Sequence, residues 1–394
     1  LGFLQRYLRR PQQLFARRLN FQVHLWVGII LTLYFVVIGV TGSILVFRPE
    51  LERLCGLKPW QEIRAGTPVA DLAAVVDNLK IAYPHHRIVS VDTPSEEDAT
   101  FVALLAGRGG RIKVACRPAD GKVLGEFPRV RNWMEIIQEL HISLLDPRRG
   151  QGRMINGIGA AFLLVLNVTG IVVWWPGIRN WKRALKVDFA RNWRRINFDL
   201  HSAAGFWTIL IASFWAVSAI YFGWPRQVFE FVNSLSPIVS ARPPAINVTP
   251  EGDPAEPDLR SLVQQARTID PGRQLAGVAF PYSRRAPLAI LMRRRNSPGD
   301  EYVDTVYFNP YNGGYISTWR YGVNQSLGDS VIWWQVPLHF GTYWGLGVKI
   351  IWAAAGLAMP LLAITGVLMY WNRALRRKWK KLRTAPAALV QPRA

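Results

Sequence analysis

The chain has 394 residues, half of them hydrophobic, and a formal net charge of +22 at pH 7. That balance suits either a basic nucleic-acid binder or a membrane protein, and the placement of the charge decides between them. Residues 1–18 hold five arginines and no acid, residues 177–197 seven bases against Asp188, and residues 372–394 eight bases and no acid. Bases gathered on the flanks of apolar runs are a topology signal, which argues against a specific nucleic-acid role and leaves contact with anionic membrane lipid as a second use of the charge.

In chain order, a basic tail at 1–21 leads into a first predicted transmembrane helix at 22–47. Its apolar run is too long for a secretory signal and no small-x-small cleavage site follows it, so it reads as a retained anchor. Residues 48–153 form a first outer module. Apolar residues at helical spacing predict a helix over 71–82, which Pro84 ends. Strands are expected at 87–91, 100–105 and 111–116, then a turn through Arg117-Pro118-Ala119-Asp120-Gly121-Lys122 and an extended Val123-Leu124. Cys55 and Cys116 both fall in this module. A disulfide would persist on an oxidising side of the membrane, but sequence does not supply the required Cα separation, so a bridge and two free thiols both remain open.

A second span at 154–177 returns the chain to a basic loop at 178–199, and a third span at 200–225 leads to a second outer module at 226–349. There the Pro-rich stretch from Ser236 to Pro257 reads as a linker or exposed loop. It is followed by a helix over 258–268, strands at 275–280, 287–293 and 301–308, and the turn Asn309-Pro310-Tyr311-Asn312-Gly313-Gly314. The fourth span at 350–372 precedes a basic tail at 373–394. Each span exceeds the roughly 20 residues needed to cross a bilayer core, and Trp26, Trp174, Trp175, Trp224, Trp352 and Trp371 lie near span ends, as an aromatic belt requires. The predicted fold class is an α-helical membrane protein of four transmembrane helices with two α+β modules. Both termini face the cytoplasm, which for a bacterial inner membrane places the modules in the periplasm.

Four of the six histidines stand at the ends of these spans. Asn20-Phe21-Gln22-Val23-His24 opens the first span and Asn197-Phe198-Asp199-Leu200-His201 the third. Leu140-His141 precedes the second, which ends Thr169-Gly170-Ile171, and Leu338-His339 precedes the fourth, which ends Thr365-Gly366-Val367. The chain thus reads as an internal tandem duplication, and copies of one orientation bring equivalent helices together around an axis along the membrane normal. His24 then pairs with His201 near the cytoplasmic face and His141 with His339 near the outer face. Pairing between levels is poor, because a core of roughly 30 Å intervenes.

Two neutral imidazoles from facing helices saturate haem iron and suit it to electron transfer. No Cys-x-x-Cys-His sequence is present, so such a haem would be b-type and non-covalent. A single interfacial histidine needs no ligand role beyond hydrogen bonds to backbone or headgroups; four in repeat-related positions weigh the other way. Zinc fits less well, since two histidines per level without a clustered carboxylate or thiol fall short of a usual site. His85 and His86 have no counterpart in the second module and read as a solvated turn. Arg18, Arg153 and Lys349 stand near the histidine levels, either to neutralise haem propionates or as ordinary snorkelling cations. Trp133, Trp333, Trp334, Tyr343 and Trp344 crowd the outer histidines, as a shield, as a platform for a bulky ligand, or as plain interfacial aromatics.

On the order of histidines and spans, the Leu-His and Thr-Gly pairs and the two Asp/Asn-Gly turns, nearly the whole chain resembles the PepSY-associated transmembrane helix family, and within it the siderophore iron reductases of the FoxB type. The resemblance implies an inner-membrane protein with two b-type haems on His24, His201, His141 and His339, passing electrons to ferric iron held by a siderophore on the periplasmic side. Reduction helps release, because hard oxygen ligands hold Fe(III) far better than Fe(II). No Gly-x-Gly-x-x-Gly follows a strand on the cytoplasmic side, so the electron donor is expected to be separate, a quinol or a soluble reductase. Two other readings stand beside this one: a membrane-anchored PepSY-type binding or regulatory protein without redox activity, and a siderophore permease. The absence of intramembrane carboxylates speaks against the permease.

Overall fold

The computed structural model describes residues 15–57, 69–94, 99–127, 132–148, 150–240, 242–246, 258–294, 303–341 and 343–375. The distal parts of both basic tails, most of the Pro-rich stretch and the start of the strand expected at Glu301 lie outside them. In chain order come α1 (Phe15–Ile30), α2 (Thr32–Val46), α3 (Arg48–Leu54) and α4 (Leu72–Ala82), then β1 (Arg87–Asp92), β2 (Phe101–Gly107), β3 (Gly110–Cys116) and β4 (Val123–Glu126). Next are α5 (Trp133–Ser143), α6 (Gly150–Trp174), α7 (Trp181–Ala184), α8 (Trp193–Gly223), α9 (Pro225–Leu235) and α10 (Leu259–Ile269). β5 (Arg273–Ala279), β6 (Leu288–Arg294), β7 (Val303–Phe308) and β8 (Tyr315–Trp319) precede α11 (Leu327–Phe340) and α12 (Leu346–Tyr370). The chain divides into two compact units, one drawn from the segments up to Val46, Ile136–Pro225 and from Lys349 onward, the other from Phe47–Glu135 and Arg226–Val348.

The first unit is helical. Helices α6 and α8, and α12 with its extension to Ala374, are each long and apolar enough to cross a membrane. The first span is a bent pair, α1 and α2, meeting at 67° around Leu31. At this bend the Thr32 hydroxyl donates to the Gly28 carbonyl at 2.8 Å, a local bond of the kind that bends helices. Only 22% of the most apolar window of each unbent span is buried. The remaining apolar surface faces outward, which suits a lipid solvent and would be costly in water. Buried hydroxyls within the spans are satisfied locally, as a hydrocarbon surround demands: Ser43 Oγ donates to the Gly39 carbonyl at 2.8 Å and Ser218 Oγ to that of Phe214 at 2.9 Å. Helices α2 and α12 cross closely where Gly39 faces Pro360 and Gly356; a Cβ at Gly39 would lie 2.7 Å from Pro360 Cδ.

The second unit carries one antiparallel sheet of order β4-β3-β2-β1-β5-β6-β7-β8. This corrects the expectation of a separate sheet in each module. The two four-stranded halves join along β1 and β5, with Val91 opposite Val278 and Asp92 opposite Gly277. The ladder continues past the strand ends, as Thr93 N donates to the Ala276 carbonyl at 2.8 Å and Phe280 N to that of Val89 at 2.9 Å. The physical reason is the edge: a four-stranded sheet would leave β1 and β5 with unpaired backbone groups, and pairing them removes two edges at once. Period-two burial along β2, whose Phe101, Ala103 and Leu105 are all fully buried, packs one face of the sheet under α4 and α10. Both helices begin as their sequences require. Asp71 accepts from Ala73 N and Asp258 from Arg260 N as N-caps, and Arg260 also pairs with Asp71.

The two turns recognisable in sequence have one geometry. Gly121 N donates to the Arg117 carbonyl at 2.9 Å and Gly313 N to that of Asn309 at 2.9 Å, with φ of 70° and 71° at the two glycines. Strand β8 after the second turn was not expected from sequence and is the counterpart of β4. Cys55 is exposed and Cys116 buried, and both are free thiols. The described part of the Pro-rich stretch is not a loose loop: Ile238 and Ile246 are buried, and Ser240 donates through N and Oγ to Asp329 Oδ1 at 2.9 and 2.6 Å. The apolar residues among the prolines and the Asp329 carboxylate hold it in place.

Replacing Gly121 by Ala forces a left-handed Cβ, costing about 1–2 kcal/mol, and sets that Cβ 2.9 Å from Val75 Cγ2. The expected result is a lower unfolding midpoint, with Gly121→Asn milder because Asn tolerates this conformation. A second prediction concerns Asp329. Burial pushes its carboxyl up, but hydrogen bonds from Ser240 and Ser326 outweigh burial and hold it below the usual carboxylate range. A depressed acid stabilises the fold above its unfolded pKa and loses that contribution as pH falls through the folded value. The stability gap between the native chain and Asp329→Asn is therefore expected to be full at neutral pH and to shrink on acidification, as thermal melts across pH will read.

Candidate functional site

The site is built on three copies of one local device, a Thr-Gly pair on one helix facing a histidine on another. His24 on α1 meets Thr169 on α6, with Nδ1 3.1 Å from Thr169 Oγ1. His201 on α8 meets Thr365 on α12 at 2.9 Å, and His141 on α5 meets Thr41 on α2 at 3.0 Å. In each case the threonine hydroxyl proton is already spent. Thr169 donates to the Val165 carbonyl at 2.7 Å, Thr365 to that of Leu361 at 2.6 Å, and Thr41 to that of Val37 at 2.7 Å. A hydroxyl has one proton, so its oxygen accepts from the ring and assigns the proton to Nδ1. Nε2 is thereby left with its lone pair available, the state a metal-binding imidazole needs.

The glycine of each pair makes room for the ring. A Cβ at Gly42 would lie 2.9 Å from His141 Cε1, at Gly170 3.2 Å from His24 Cε1, and at Gly366 3.4 Å from His201 Cε1. A further brace acts through Asn197, four residues before His201, whose side-chain amide donates to the Thr365 carbonyl at 3.0 Å. Asn156 similarly donates to the His141 carbonyl at 2.7 Å. Burial pushes the His141 imidazole down to about 4, so it is neutral at pH 7.

His24 and His201 come together: their ring centres are 6.2 Å apart with planes at 89°. Two imidazoles bonded to one metal ion from opposite sides, each through a bond of about 2 Å, have ring centres about 6 Å apart, so the spacing of this pair matches that of two ligands of one ion. Among the described residues no group of three or more His, Cys, Asp or Glu is placed to hold a metal. This donor set suits an iron whose other ligands come from a macrocycle, as in haem, better than a protein-only metal site. Among the buried polar atoms of the same unit, Asn156 Oδ1 and Trp174 Nε1 on α6 and Asn197 Oδ1 on α8 have no hydrogen-bond partner among the described residues. Orphan groups of this kind are expected where a polar ligand completes the site.

His339 lies half-buried in the last turn of α11, in the second compact unit, whereas His141 belongs to the first. Each Leu-His pair closes a helix that is separate from the span it precedes. Left-handed residues break the chain after both, Leu144 and Leu145 in one case and Gly341 and Trp344 in the other. Around α11 the expected aromatics do cluster: Trp344 stacks on Trp334 at 5.9 Å and 21°, and Tyr343 meets Trp344 edge-on at 4.2 Å. Trp133 and Trp344 are exposed.

Some residues were not anticipated from sequence. Arg17, not Arg18, turns inward and donates to the Val173 carbonyl at 2.6 Å, while Arg18 and Arg153 are exposed and Lys349 is half-buried. Thr41-Gly42 carries the same dipeptide that marks the second and fourth spans, and that repeat is its signal in the sequence. Ser218 stands at the same interval from His201 as Thr41 from His24, and its hydroxyl is likewise committed to the carbonyls of Phe214 and Trp215. His86 is no free turn residue: its ring packs edge-on against Tyr83 at 5.6 Å.

A family model described as the PepSY-associated TM region matches residues 21–373. Comparison with curated proteins gave no match.

Replacing Thr169 by Val keeps the shape of the side chain and removes the oxygen that holds His24 Nδ1. Leaving that buried ring N–H without a partner costs about 1–3 kcal/mol. The expected outcome is a lower melting temperature of the protein in mild detergent, restored by Thr169→Ser.

Proposed function

The chain belongs to the family of PepSY-associated transmembrane regions, and from that premise we propose that it is a ferric-siderophore reductase, a bacterial inner-membrane electron-transfer protein with two b-type haems. The single observation that supports this reading most is the pairing of His24 and His201 at 6.2 Å, each ring oriented by its own threonine. On this reading His24 and His201 hold a haem near the cytoplasmic face, and His141, oriented by Thr41, is a ligand of a second one near the periplasmic face, with the repeat-related His339 tested beside it. Haem held by these histidines would supply one-electron chemistry.

The chain's own residues supply binding and orientation. Thr169 and Thr365 keep the Nδ1 protons in place, so His24 and His201 ligate as neutral imidazoles through Nε2. The apolar spans exclude water from the histidines, and the lowered basicity of His141 keeps it neutral on the outer side. A separate donor, a quinol or a cytoplasmic reductase, provides the electron. The acceptor is Fe(III) in a siderophore: one electron converts it to Fe(II), and the oxygen ligands then release it more readily. The basic segments at both ends of the chain and between α6 and α8 support cytoplasmic termini, with the eight-stranded sheet on the periplasmic side.

The test is haem content and its dependence on the four histidines. Protein made with ample haem is expected to give a b-type pyridine haemochrome with two haems per chain. His24→Ala or His201→Ala removes one, and His141→Ala or His339→Ala the other. After anaerobic reduction with dithionite, a cognate ferric siderophore is expected to reoxidise the protein. Absence of any haem sinks this reading and leaves the membrane-anchored binding or regulatory protein in its place.

A further inference from the structure

The loop between α6 and α8 folds back along α8. Trp207, well inside α8, donates from Nε1 to the Leu185 carbonyl at 3.1 Å and so fixes the short helix α7 beside the long one. Between them lies an open groove of about 530 Å³ lined by Trp181, Lys182, Arg183, Leu185, Lys186 and Trp207. Its lining combines two indoles and a leucine with three cations. No carboxylate lines it. The one acid of the loop, Asp188, is held by Arg191 at 2.9 Å. Among the described residues none of the three cations forms an ion pair within 4 Å, though Arg183 adds to the pull of Arg191 on Asp188, and Lys182 rests over the Trp181 ring at 5.7 Å.

The depth of the groove follows from α8 itself. This helix has 31 residues, which at about 1.5 Å per residue is longer than a bilayer core of roughly 30 Å. Its first turns carry Arg194, Arg195 and Asp199, so the uncharged part begins only after Asp199. Trp207 stands eight residues, about 12 Å, beyond Asp199, a depth that matches the upper part of an acyl chain. It is 66% exposed, and Trp193 and Phe189 nearby in sequence are 60% and 72% exposed, an aromatic content suited to an interface. Free phosphate has no use for two exposed indoles, and a wholly apolar ligand has none for three unpaired cations.

We propose that this groove is a binding site for an anionic phospholipid, its phosphate held by Lys182, Arg183 and Lys186 and the start of an acyl chain lying along Trp207. The site is independent of any haem. The full-length protein in mild detergent, titrated with phosphatidylglycerol or phosphatidylcholine and read by native mass spectrometry, is expected to retain phosphatidylglycerol preferentially. In the triple variant Lys182→Gln, Arg183→Gln, Lys186→Gln that preference is expected to fall about tenfold or more, with far-UV circular dichroism and melting unchanged. Trp207→Phe, which keeps the apolar wall, is expected to retain lipid but release it faster. The proposal is overturned if the triple variant keeps the full preference, if the native chain shows none, or if millimolar inorganic phosphate displaces the lipid as well as excess phosphatidylglycerol does. Should the triple variant fail to fold, the single variants Lys182→Gln and Lys186→Gln carry the same test, each expected to lower the preference several-fold.

Discussion

The hydrogen bond between a threonine oxygen and a histidine Nδ1 is the interaction on which the membrane unit turns. In an apolar surround a threonine must spend its proton on its own helix, and Thr41, Thr169 and Thr365 all do so. What remains is an acceptor of fixed direction, set beside a glycine that lets a neighbouring ring approach. Three histidines on three different helices are oriented this way. An imidazole so held presents one nitrogen in one tautomer, and the partner helices are tied together at the same stroke.

The second unit meets a different constraint. Each half of the sheet brings four strands, one helix and an identical glycine turn, and each alone would end in a bare edge. Joining β1 to β5 makes one sheet of eight and lets α4 and α10 share a continuous apolar core. Gly277 sits at that seam, where a Cβ would meet the Val91 carbonyl at 2.5 Å. Two halves that fold alike are thus committed to one another by backbone hydrogen bonding and close approach.

Much of the candidate site was legible in the sequence because it repeats. The two Asn-Phe-x-x-His openings marked His24 and His201, and the shared orientation of the two copies placed both on spans that could meet. What was not legible was the support. Thr41 is 100 residues from His141 and Thr365 is 164 from His201, so no local spacing links them. Arg17 rather than Arg18 turns inward because the phase of α1 decides it, and adjacent residues on a helix face different ways.

By itself the sequence determined the spans, their charge asymmetry, the strand and turn pattern and the repeated histidines, since each depends on local periodicity and composition. Only the tertiary structure decided that two modules share one sheet, that the first span is bent, that the cysteines stay apart, and that His24 and His201 meet at 6.2 Å. These are matters of edge pairing and helix crossing, which join residues far apart in the chain and leave no mark on either segment alone.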